Sequence, residues 1–183
     1  PGSGFNLPGN KFDVSLETYG KPICEKQVLH KQTDAILLID NSGSMSEKDM
    51  GGHSRLEAAK EAAIRFVSCV LGQYERIGVV SFSDEAQVHI GLTNRKSDLV
   101  EAIREIELLG GTNMTAGFKA VQEIFESDAR QNAVKSVTLL SDGIPFYPEN
   151  ALAEAEKLKE KQVKILAIGV GEAQENFLRI ICD

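Results

Sequence analysis

The apolar run Ala35-Ile36-Leu37-Leu38-Ile39 stops on Asp40-Asn41-Ser42-Gly43-Ser44, and no other stretch restricts the fold as much. An unbroken apolar strand suits a parallel sheet covered on both faces by helices. The abrupt change to a carboxylate and two hydroxyls then sets oxygen donors at the strand's carboxyl end. In open α/β sheets, ligands bind at that edge.

The chain beyond this stretch alternates strands with helices. A helix opens at Ser54, with Glu57 placed to close a capping box, and carries an apolar stripe of Leu56, Ala59, Ala63, Phe66, Val67 and Val70 at helical spacing, ended by Gly72. Residues 77–82 read as a buried strand. The short turn Ser83-Asp84-Glu85 makes 86–90 its antiparallel partner at one sheet edge. Ser97 is placed to cap a helix bearing Leu99, Ile103 and Ile106, which the pair Gly110-Gly111 stops while freeing the backbone of the loop. Thr115 restarts a helix, 134–140 is another apolar strand ending on Ser141-Asp142-Gly143, and 149–161 is a helix with Leu152, Ala155 and Leu158 inward. A buried strand over 163–169 and a short helix over 176–182 complete the pattern. The expected fold is α/β: a doubly wound, Rossmann-like, mostly parallel sheet with one antiparallel edge strand and helices on both faces.

Residues 34–183 are read as one domain, large enough at this length and 42% hydrophobic content to bury a core. Residues 1–33 are read as an arm. Pro1-Gly2-Ser3-Gly4 resembles the scar of a cleaved tag, and the alternation of Phe12, Val14 and Leu16 with Asp13, Ser15 and Glu17 fits an edge strand or a surface segment equally. A net charge of -7 argues against a nucleic-acid binder. The apolar runs are too short to span a bilayer.

The three cysteines are Cys24, Cys69 and Cys182. Cys69 is expected to be a buried, inert thiol on the helix stripe. A bridge between Cys24 and Cys182 would clip the two ends together, and free thiols there are the equal alternative. The cysteines therefore leave the compartment open between cell surface or secreted on one side and cytoplasm on the other. The glycosylation sequon Asn113-Met114-Thr115, beside Thr112, weighs against a glycosylating pathway.

Asp40 and Asp142, with the hydroxyls of Ser42, Ser44 and Thr112, form an all-oxygen constellation. Hard cations prefer such donors. Two carboxylates suit Mg²⁺, with Mn²⁺ fitting as well and Ca²⁺ a lesser alternative. A first shell with more hydroxyls than carboxylates leaves the cation under-neutralised, so it should seek an acidic ligand from outside.

Asp40-Asn41-Ser42-Gly43-Ser44 resembles the DxSxS signature of the von Willebrand factor A (vWA) domain family and its metal-ion-dependent adhesion site (MIDAS), as in integrin I-type domains. Gly110-Gly111-Thr112-Asn113 is similar to that family's threonine loop, Ser141-Asp142-Gly143 to its aspartate loop, and Ala167-Ile168-Gly169-Val170-Gly171 to the strand and glycine exit that follow. The resemblance implies a metal held directly by Ser42 and Ser44, by Thr112 directly or through water, and by Asp40 and Asp142 largely through water. It implies a non-enzymatic, monomeric protein-binding or adhesion module whose shell is completed by a Glu or Asp of a protein partner. A docking subunit of an intracellular assembly is the alternative. Integrin-type members continue with a further strand and a long helix, whereas this chain stops at Asp183. The domain is thus read as cut short, or as completed at its sheet edge by residues 12–17. The glycine-containing connection 46–53 is closer to bacterial or intracellular members.

Rival chemistries lack parts. A haloacid dehalogenase-type phosphatase needs a second Asp where this chain has Ser42, and without it phosphoryl transfer has no proton donor. A serine hydrolase needs a base, and His30, His53 and His89 fall in predicted arm, loop and edge strand. A divalent-metal hydrolase therefore ranks last. Gly169-Val170-Gly171 lacks the third glycine of a dinucleotide loop.

Overall fold

The computed structural model describes residues 31–48, 52–143, 145–171 and 173–182. The arm strand expected over 12–17 and Cys24, with its expected bridge, lie outside the described residues. Five strands, β1 (Thr33–Asp40), β2 (Glu75–Phe82), β3 (Ala86–Thr93), β4 (Val134–Ser141) and β5 (Val163–Gly169), form one sheet in the order β3-β2-β1-β4-β5. Every pairing is parallel except β2 with β3. The α/β, doubly wound expectation is met.

The helices follow from apolar spacing. α1 (Arg55–Val70) opens on the Ser54–Glu57 capping box, and α2 (Lys96–Arg104) packs beside it. These two cover the sheet face that carries Ala35, Leu37, Ile39, Ile77 and Val79. α3 (Met114–Ser127), α4 (Pro148–Glu160) and α5 (Glu175–Ile181) cover the other, with Ile36, Leu38, Val80, Val137 and Leu139. Successive β1 residues alternate between the two clusters, so each side chain of the run is buried without a polar partner being required.

Several local expectations are corrected. Cys69 is exposed. Two residues past buried Val67, it is turned by roughly 200° from the stripe of Leu56, Ala59, Ala63 and Val67. Val70, the last residue of α1, is 37% exposed. The N-cap of α2 is Arg95, and Ser97 instead hydrogen-bonds Asp98 within the first turn. α2 ends at Arg104, well before Gly110, so the glycine pair does not terminate it. β5 is an edge strand with its apolar residues divided. Val163 and Ile165 are buried on the α3–α5 side, whereas Leu166 is 54% and Ile168 38% exposed on the other side of the sheet, in line with Leu140 and Ile39. Among the described residues, no helix is long and apolar enough to cross a membrane.

A clamp closes the opposite end of β1. Asp34 is fully buried and accepts hydrogen bonds from Arg76 Nε and Nη2 (3.0 and 2.9 Å), Arg130 Nε and Nη2 (3.0 and 2.7 Å) and the Arg130 backbone N–H (2.7 Å). Burial alone would raise its pKa. The hydrogen bonds from Arg76 and Arg130 outweigh this and hold the carboxyl below its ordinary value.

Candidate metal centre

Chain order runs from β1 outward through β2 to β3, then returns to the other side of β1 with β4 and β5. The sheet's direction of growth therefore reverses between β1 and β4, and the crevice outside their carboxyl ends is where such folds bind ligands. Asp40 ends β1, and Asp142 follows the last residue of β4.

Asp40 is fully buried, and its two oxygens face different segments. Oδ1 accepts the Ser42 N–H at 2.9 Å, and Oδ2 accepts the Ser141 hydroxyl at 2.7 Å, tying the two strand ends together. Burial pushes the Asp40 carboxyl up. The hydrogen bonds from Ser42 and Ser141 oppose this, and the Asp142 charge adds to it. Ser42 is buried on the β1 exit, while Ser44 is exposed in a 3-10 turn over Gly43–Ser46. Their hydroxyls lie 3.1 Å apart, and the Ser44 hydroxyl donates to Asp142 Oδ1 at 3.0 Å. Asp40, Ser42, Ser44 and Asp142 are thus brought together.

Thr112 lies in the adjoining loop, half-buried, and no described hydrogen bond joins its hydroxyl to the other four. The loop itself is fastened to the Asp40–Ser44 segment. Gly43 N–H donates to Gly110 O at 2.8 Å, Leu109 N–H to Asn41 O at 2.8 Å, and Asn41 Nδ2 to Glu107 O at 2.8 Å. The Thr112 carbonyl accepts Phe146 N–H at 3.3 Å, which joins it to the segment after Asp142. Neither Gly110 nor Gly111 has a positive φ, so a left-handed backbone is not what the pair supplies. A Cβ on Gly110 would fall 2.5 Å from Asp84 Oδ2, and one on Gly111 would fall 2.9 Å from Phe146 Cε2.

Arg55 is a member of the site that sequence reasoning missed. It is the first residue of α1, and its Nη1 donates to Asp142 Oδ2 at 2.7 Å while Nη2 pairs with Glu47 at 2.6 Å. A charged residue after a cap carries no local signal of such a contact, which exists only because separate loops converge.

The five candidate residues offer only oxygen, two carboxylates and three hydroxyls. Among the described residues, no group of three or more His, Cys, Asp or Glu is placed to hold a metal ion. The chemistry fits a small hard cation that retains water, and does not fit a zinc site built from sulfur and imidazole. A buried carboxylate whose pKa is raised by burial is also a group that a nearby cation would stabilise.

A doubly wound, mostly parallel sheet with one antiparallel edge pair places the chain among the Rossmann-like α/β domains. The chain belongs to the von Willebrand factor type A domain family, whose model matches residues 35–144. Human collagen alpha-6(VI) chain is 28% identical over 163 residues, covering 82% of this chain and 7% of the collagen chain. Integrin alpha-M of Mus musculus is 28% identical over 186 residues, covering 94% of this chain and 14% of the integrin. The structure of proximal thread matrix protein 1 from the mussel byssus, with a zinc-occupied MIDAS motif, matches with a TM-score of 0.69 and 25% identity, over 83% of this chain and 39% of that one. The chain spans less than half the length of the curated relatives it matches here, from 6% to 46% of each.

Proposed function

We propose that this chain is a divalent-cation-dependent protein-binding module without catalysis of its own, in which Asp40, Ser42, Ser44, Thr112 and Asp142 hold Mg²⁺, with Mn²⁺ an effective substitute. The observation that carries this reading is the continuous hydrogen-bonded row from Ser42 through Ser44 to Asp142, beside buried Asp40, at the switch point of the sheet. The bound ion would supply a positively charged coordination position for a Glu or Asp carboxylate of a protein partner. The chain's own residues orient the site. Ser141 and the Ser42 N–H fix both oxygens of Asp40, and the stitched loops fix the backbone around Thr112. The adhesion and matrix character of relatives such as an integrin and a collagen VI chain supports the binding reading. Against an enzyme, the described Ser–His pair, Ser81 and His89 at 2.8 Å, has its serine 1% exposed and out of a substrate's reach.

The test is calorimetric titration of Mg²⁺ into chelator-treated protein beside Asp40→Ala and Thr112→Ala, with circular dichroism verifying that each variant is folded. Binding heat should be lost in the first variant and weakened in the second. Equal heats from all three would refute the site.

A further inference from the structure

We propose that Arg55 is a built-in competitor with the divalent ion for Asp142, and that Glu47 is the acceptor that takes the guanidinium when the ion binds. The inference rests on the metal reading above and concerns what sets the affinity of that site.

Asp142 has no idle oxygen. Oδ1 accepts the Ser44 hydroxyl and Oδ2 accepts Arg55 Nη1. Its side chain is 3% exposed, that of Arg55 is 19% exposed and that of Glu47 62%. The guanidinium therefore reaches from a buried carboxylate to a solvated one, with one nitrogen on each. Charge-assisted contacts of this length are among the strong hydrogen bonds. A divalent ion drawing on Asp142 meets a positive charge already neutralising it. That charge repels the ion as well as occupying its ligand.

The backbone couples the second acceptor to the site. Glu47 N–H donates to Ser44 O at 3.1 Å, and Arg55 N–H donates to Glu47 O at 2.9 Å. Glu47 thus sits one short turn beyond a proposed ligand and is fastened to the residue whose guanidinium it shares with Asp142. Gly171 leaves the path clear. It adopts φ +64°, and a Cβ there would lie 2.5 Å from Arg55 Nε. The loop leaving β5 thereby accommodates the Arg55 side chain against its backbone.

Competition and mere positioning give opposite signs. If Arg55 only positioned Asp142, removing it would weaken ion binding. If it competes, R55Q should bind Mg²⁺ about tenfold more tightly, while R55K, which keeps the charge, stays closer to the unaltered protein. E47Q should bind more weakly, because Arg55 then has no alternative carboxylate. The melting temperature in EDTA supplies a second readout. R55Q should melt lower than the unaltered protein, since a buried carboxylate has lost its partner, and added Mg²⁺ should raise it by more.

The experiment is Mg²⁺ calorimetry and thermal melting, with and without Mg²⁺, on the unaltered protein, R55Q, R55K and E47Q. Glu47 is exposed, so E47Q tests the idea even where R55Q fails to fold. Tighter binding by R55Q and weaker binding by E47Q support it. Heat in the unaltered protein with equal or weaker affinity in R55Q, or unchanged affinity in E47Q, overturns this inference alone. No heat in the unaltered protein overturns the metal reading with it.

Discussion

Asp34→Asn should destabilise the protein by about 3 kcal/mol at neutral pH, although it is far from the candidate metal centre. The substitution keeps one carbonyl acceptor and turns the other oxygen into an NH₂ group facing guanidinium donors. Five hydrogen bonds converge on the Asp34 carboxylate, four from the guanidiniums of Arg76 and Arg130 and one from the Arg130 backbone. Breaking a buried pair by removing one partner costs about 3–5 kcal/mol. The low end applies because the two arginine side chains are 23% and 25% exposed, so water can reach the donors left behind. For a chain of this size, such a loss lowers the melting temperature by about 6–12 °C. The pH dependence gives an independent check. The folded-state pKa of Asp34 is depressed, with the arginine hydrogen bonds overcoming burial. Its stabilisation is therefore present above the unfolded value, about 3.9, and is lost as pH falls through the lower folded value. Urea denaturation at a series of pH values should show a gap between the unaltered protein and the Asp34→Asn variant that is constant near neutrality and closes in acid. A gap under about 1 kcal/mol at neutral pH, or one that persists in acid, would refute the account of a buried ionic clamp.

Two further perturbations probe the antiparallel edge. Gly78→Ala places a Cβ 2.7 Å from Ile36 Cδ1 and 3.3 Å from the Ile90 carbonyl, and overpacking beside a backbone atom should cost about 1–3 kcal/mol in chemical denaturation. Burial holds His89 below its ordinary pKa, with the Glu105 charge opposing and Lys60 adding. Its proton uptake on unfolding should make stability fall as pH drops below about 6.5, and His89→Gln should flatten that limb of the melting-temperature profile.

The strands and their alternation with helices were legible because apolar runs and capping residues are local signals. The β2–β3 reversal was legible from a turn too short for a crossover. So were the positions of Asp40 and Asp142, since strand ends are marked where apolar residues give way to polar ones. The exposure of Leu166 and Ile168 was not legible. The run in β5 is as apolar as those of central strands, and its edge position depends on topology. The Arg55 contact with Asp142 was hidden for the same kind of reason, as was the Asp34 clamp. Each brings together side chains distant in sequence, and no periodicity records them. The glycine pair was visible, but its neighbours, Asp84 and Phe146, come from other loops.

The clamp and the candidate centre share a strand, and this has a consequence for how β1 finds its place. The run between them is apolar on both faces, so hydrophobicity alone would tolerate a shift against β2 and β4. Asp34 and Asp40 stand an even number of residues apart, on the same face as Ile36 and Leu38. A slip by one position would turn both carboxylates to the opposite face, away from Arg76, Arg130 and Ser141 at once. The two charges therefore act as pins at either end of an otherwise featureless rod, and the phase they set is what delivers Asp40 to its loop.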